Sequence, residues 1–161
     1  MDRTVVSPGE EVTVELAGEE FGGFRTSFKG FLLTARSEMS NFTTTVGSFT
    51  SLPAGSKSLD CEGKSKSAVT HRTSAGKTAM SLQWIPASSG YVQFFATFVQ
   101  HFSTFWVKIP SERICVKLAS GNGCEPETTS KTEPDTTKPT PEVPKEIVTK
   151  KPRWIVIRSP A

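Results

Sequence analysis

Nowhere does this sequence hold an unbroken apolar run of about 20 residues, the length a membrane-spanning helix needs. Its richest apolar stretch, VQFFATFVQHFSTFWVKI from Val92 to Ile109, is interrupted by Gln93, Gln100, His101, Ser103 and Lys108. An excess of one charge is missing too. The net charge is +3, and residues 1–120 carry 12 basic against 10 acidic side chains. Charges so evenly spread make no concentrated basic patch, and no nucleic-acid partner is expected. The opening MDRTVVSPGEEVTVEL is too polar for the apolar core of a secretory signal. Cysteines are few: Cys61, Cys115 and Cys124, with no C-x-x-C pair, so a zinc site is not expected. Their odd number leaves one thiol free or bonded outside the sequence. No segment has a convincing helical period, and no internal repeat is visible.

What is present is alternation. Val92, Phe94, Ala96 and Phe98 fall on one side of a period-two pattern, and Gln93, Phe95, Thr97 and Val99 on the other. After QHFST, Phe105, Val107 and Ile109 alternate with Trp106 and Lys108. Two strands joined by a short connection account for this pattern, and aromatic and β-branched residues suit a pleated, half-buried surface. Upstream, EVTVEL puts Val12, Val14 and Leu16 on one face. FKGFLLTAR is a further strand with Gly30 inside it, at a possible bulge. SAVTH ends at His71, and KTAMSLQWIP places Thr78, Met80, Leu82 and Trp84 together. Short strands at this spacing, with turn residues between them, predict an all-β sandwich. Its expected core includes Trp84, Phe94, Phe98, Phe105 and Trp106. The tryptophans are read as core rather than as the lining of a ligand pocket.

Composition changes near residue 120. From Gly121 to Arg153 the chain is rich in Thr, Pro, Glu and Lys and has no aromatic residue. Such a segment buries too little apolar surface to offset its ordering entropy. The expected organisation is a β-sandwich over 1–120 and a disordered Thr/Pro-rich stalk or tail over 121–161. The closing RWIVIRSPA is a short apolar island, readable as a stray strand or as the start of a longer segment.

Catalytic patterns are not found. His71 and His101 have no ligand spacing with each other or with Cys61, so neither a metal nor a haem is expected. Cys61 lies between Asp60 and Glu62, the wrong neighbours for a nucleophilic thiolate. No G-x-S-x-G elbow occurs. SAGKTAMS lacks the spacing of a phosphate loop and precedes a strand rather than a helix. No enzyme activity, no catalytic residue and no cofactor is therefore expected. Asn41-Phe-Thr is an N-glycosylation sequon in an expected surface loop.

Taken in order, FKGFLLTAR, VGSFTSLPAGSKSLDC, SAVTH, KTAMSLQWIP and GYVQFFATFVQHFSTFWVKI resemble the reeler (reelin N-terminal) domain family, over about residues 5–112. The resemblance implies an extracellular, disulfide-bonded, immunoglobulin-like antiparallel β-sandwich. It implies a partner for Cys61 near the domain start, upstream of this sequence, and therefore an N-terminally shortened chain lacking its first strand. A strand left without that neighbour would be a bare edge. Cys115 and Cys124 would close a small loop of their own. The implied function is non-catalytic binding or adhesion to an extracellular protein, glycan, matrix or microbial-surface ligand, with innate defence as one setting. The alternative is an accessory domain of a ferric-chelate-reductase-like membrane redox protein.

Overall fold

The computed structural model describes residues 5–18, 20–118, 124 and 155–158. The expectation of a disordered tail falls, except for Cys124 and 155–158, outside these described residues. Twelve strands run in chain order: β1 (Val5–Val6), β2 (Val12–Ala17), β3 (Glu20–Phe21), β4 (Phe24–Arg25), β5 (Gly30–Ser37), β6 (Ser48–Ser51), β7 (Ser56–Cys61), β8 (Lys64–His71), β9 (Ala79–Ile85), β10 (Gly90–His101), β11 (Thr104–Val116) and β12 (Ile155–Arg158). One 3-10 turn, Glu38–Ser40, follows β5, and there is no α-helix among the described residues.

The strands form two main sheets. One has the order β1-β11-β10-β5-β8-β7, the other β12-β2-β9-β6, and β3 and β4 make a small separate ribbon. Pairing is antiparallel except between β1 and β11, where Val5 lies beside Cys115 and Val6 beside Val116 in parallel. The all-β sandwich read from the alternation is what the chain adopts.

The inner faces follow that alternation closely. Val12, Val14 and Leu16 of β2 meet Trp84, Leu82 and Met80 of β9 as cross-strand partners. Opposite them, Phe94, Ala96 and Phe98 of β10 and Phe31, Leu33 and Ala35 of β5 fill the core. The two sheets interlock through rings. Trp84 meets Phe94 edge-on with centroids 5.0 Å apart, and Phe49 meets Phe94 at 6.5 Å. Phe28 stands edge-on to Phe98 at 5.0 Å. Edge-to-face pairs satisfy the ring quadrupoles and add to the stabilisation from buried area.

One expectation is corrected. Phe105 is not in the core: it is 57% exposed, whereas Trp106 is half-buried against the core. The reason is a bulge. Ala96 pairs with Ile109 but Phe98 pairs with Trp106, so Val107 and Lys108 together oppose Thr97. Lys108 absorbs the extra residue at φ 50° and donates its N–H to Thr97 Oγ1 at 3.2 Å. A bulge shifts the facing of everything beyond it by one residue. Phe105 therefore shares the outer face with its partner Val99, and Trp106 turns inward with Phe98. The apolar island near the end of the chain, readable as a stray strand, forms one. Ile155–Arg158 pairs antiparallel along β2 at the edge of the four-stranded sheet. Ile155 is buried and Ile157 packs on the core, which is the period-two pattern of a half-buried strand.

Candidate functional site

The two outer faces of the sandwich differ. On the four-stranded sheet the outward residues of β2 are polar and engaged. Thr13 donates its hydroxyl to Gln83 Oε1 at 3.0 Å, and Glu15 lies 3.9 Å from Arg25. On the six-stranded sheet exposed apolar side chains stand among polar ones such as Thr70, Gln93 and Thr97. Leu32 pairs with Thr97, and Val99, two residues on, pairs with Phe105. Cross-strand partners share a face, so Leu32, Val99, Phe105 and Val107 all lie on the side opposite Phe94 and Phe98. All four are exposed. Phe95, on the same face, is half-buried against Phe42, with ring centroids 5.7 Å apart.

At one end of this face, where β10 turns into β11, lies a cleft of about 530 Å³. Both histidines line it, together with Lys29, Val99 and Phe102. Phe102, at the tip of the turn, is fully exposed.

His71 is the last residue of β8 and replaces a backbone partner there. The Phe31 N–H donates to its Nδ1 at 3.1 Å, while Thr70 Oγ1 donates to the Phe31 carbonyl at 2.8 Å. An Nδ1 that accepts leaves the ring proton on Nε2. Gly30 lies beneath this ring. It pairs with Val99 in regular register, so its role is close approach rather than the bulge suggested by its position in a strand.

Glu62 makes a second polar centre. Its carboxylate accepts from the Thr45 N–H at 2.9 Å and the Thr45 hydroxyl at 3.0 Å, with Arg36 at 3.9 Å and Lys64 at 4.0 Å. The Thr45 backbone hydrogen bond, then its hydroxyl, hold the carboxyl below the usual carboxylate range against an opposing effect of desolvation, with Arg36 and Lys64 adding to the lowering. This cluster ties the β7–β8 turn to the segment before β6, and is structural. Lys77 is likewise a strut. Its ammonium donates to the carbonyls of Ala75, Thr73 and Lys29 at 2.7, 2.8 and 3.0 Å.

The cysteines divide as follows. Cys115 and Cys124 are disulfide-bonded, with Cα atoms 5.8 Å apart. Cys61 is half-buried and is not disulfide-bonded among the described residues. Asn41 sits exposed in the left-handed conformation at φ 52°, capping the 3-10 turn. Among the described residues, no three His, Cys, Asp or Glu side chains gather as a metal site would require. No helix among them is long and apolar enough to cross a membrane.

The alternation alone indicated an outer face but not its apolar character on β11, which the bulge at Lys108 creates. Nor does the sequence reveal that His71 and His101, 30 residues apart, line one cleft.

The family model of the reeler domain matches residues 1–122. The chain belongs to the reeler domain family. It is 38% identical to human ferric-chelate reductase 1 over 106 residues, which are 64% of this chain and 17% of that protein. It is 38% identical to defense protein 3 of Antheraea mylitta over 110 residues, 67% of this chain and 63% of that one. The crystal structure of the human F-spondin reeler domain superposes with a TM-score of 0.57 at 21% identity, covering 72% of this chain and 83% of that one. That likeness concerns the fold. The reeler chain thus spans less than a fifth of the length of human ferric-chelate reductase 1.

Proposed function

We propose that this reeler domain is a non-catalytic recognition module acting outside the cell. Its ligand would be a protein, glycan or matrix component, or a microbial surface. The single observation behind this reading is the contrast between the two outer faces. Soluble domains rarely leave large apolar side chains side by side on one sheet without a use for them. Leu32, Val99, Phe105 and Val107 form such a face, and the cleft holding both histidines continues it. The Cys115–Cys124 bond fits an oxidising compartment. The exposed Asn41 sequon is open to a glycan. Cys61 is proposed to pair with a cysteine upstream, and residues 125–154 to serve as a Thr/Pro-rich connection.

The test is a surface-binding panel of matrix, mammalian cells and microbial cells. The labelled native protein is compared with a Phe105→Ser/Val107→Thr variant of unchanged near-ultraviolet circular dichroism. One class of surface is expected to hold the native protein and to lose it about tenfold or more in the variant. Equal binding by the two proteins would remove the outer face from the proposal.

A second reading is favoured by the 38% identity to human ferric-chelate reductase 1. Here the domain is the accessory module of a longer membrane redox protein. Sequencing the transcript beyond the codon for Ala161 discriminates. A following series of apolar helices supports this reading, and a stop codon supports the first.

A further inference from the structure

The β12 strand lies on the edge of β2 in an unusual way. Four residues pair with four: Ile155 with Leu16, Val156 with Glu15, Ile157 with Val14 and Arg158 with Thr13. Ile155 is buried and Ile157 partly so. A strand of four residues at a sheet edge is short, and the ordering of its backbone opposes what the burial of these two side chains contributes. A strand so short depends on its tether. The last described residue before it is Cys124, bonded to β11. Thirty residues containing six prolines lie between Cys124 and Ile155. A connection of that length can reach roughly 90 Å when extended at about 3.1 Å per residue. Its length alone therefore does not fix where β12 pairs.

We infer that the β2 edge, from Thr13 to Leu16, is a strand-addition site, covered in cis by the chain's own residues 155–158. The ligand chemistry it accepts is that of its present occupant: an extended peptide running antiparallel to β2, with branched apolar side chains at alternate positions. Main-chain hydrogen bonds supply affinity, and the positions of Ile155 and Ile157 supply selectivity. The cis strand acts at a local concentration of about millimolar, so a free peptide competes poorly until β12 is displaced. This inference stands apart from the recognition face, which lies on the other sheet.

The experiment uses the full chain and a fluorescein-labelled peptide of residues 153–161. Fluorescence anisotropy is followed against the native protein and against an Ile155→Asp/Ile157→Asp variant, whose own strand no longer docks. The variant is expected to bind the peptide about tenfold or more tightly than the native chain. A scrambled peptide that separates Ile155 from Ile157 in spacing should bind neither. Equal affinity for the two proteins, or no binding to the variant, overturns the inference. Hydrogen exchange on the unmodified chain gives an independent reading if the variant unfolds. The amides of β12 should exchange through a local opening well ahead of those of β9 and β10. Exchange of β12 at the same rate as β9 would show a permanent strand and overturn the inference as well.

Discussion

The imidazole of His71 lies so close over Gly30 that a β-carbon on that glycine would stand 2.9 Å from the ring's Cε1. The contact joins two adjacent strands, β5 and β8, at the point where their backbone ladder ends. The ring fills the space that a side chain at 30 would claim, and its Nδ1 takes the hydrogen bond from Phe31. Gly30→Ala must therefore push the ring aside, costing about 1–3 kcal/mol by overpacking. In a His71→Ala background the same substitution should cost markedly less. Urea unfolding of the four proteins of this cycle measures the coupling; strict additivity would rule out the contact.

Stability in acid should carry the signature of Glu62. Its folded-state value is depressed by the two Thr45 hydrogen bonds, so its contribution is complete above the ordinary value of 4.5. The contribution is then lost as the pH falls through the lower, folded value. Urea midpoints at pH 7 and pH 3 should fall further for the native chain than for Glu62→Gln. A parallel fall would mean that Thr45 does not hold the carboxylate in solution.

Phe98 and Phe105 are both phenylalanines of the β10–β11 hairpin, yet their truncation should differ sharply. Phe98 is fully buried, and Phe98→Ala should cost about 3–5 kcal/mol. Phe105 faces solvent across from Val99, and Phe105→Ala should cost about 1 kcal/mol or less. Thermal melts of the two variants decide whether the bulge at Lys108 sets the facing described.

Reduction of Cys115–Cys124 opens a loop with a sequence separation of 9. Loop-closure entropy alone predicts a loss of about 2–3 kcal/mol. Cys124→Ser should reproduce the shift in urea midpoint seen with a reducing agent, and a reducing agent should then add nothing further. Both proteins retain Cys61, so any extra effect of reduction on the variant would report a bond at that residue.

Much of the sandwich was legible because its inner faces obey a strict period of two. Val12, Val14 and Leu16, Met80, Leu82 and Trp84, and Val92 to Phe98 all lie where alternation puts them. The pattern failed at Phe105 because a bulge is one residue of local backbone geometry, and hydrophobicity does not register it. It understated Ile155–Arg158 because four residues are too short to signal a strand without knowledge of the edge that receives them. The cleft was illegible for another reason. His71 and His101 come to line one cleft only through the pairing of three strands, and no local spacing encodes that.

The parallel pairing of β1 with β11 has a consequence under load. Tension drawing the chain apart from its two flanks would pull Val5–Val6 one way along the strand axis and β11 the other. The contacts between them, including the Lys117 N–H to the Val6 carbonyl at 2.8 Å, would then be loaded together in shear rather than peeled one at a time. The bond from Cys115 to Cys124 anchors the far side of this joint beside Val5 itself. Once β12 has left the edge of β2, a domain held between a surface and a ligand would carry mechanical force through its first strand before the rest of its core felt any.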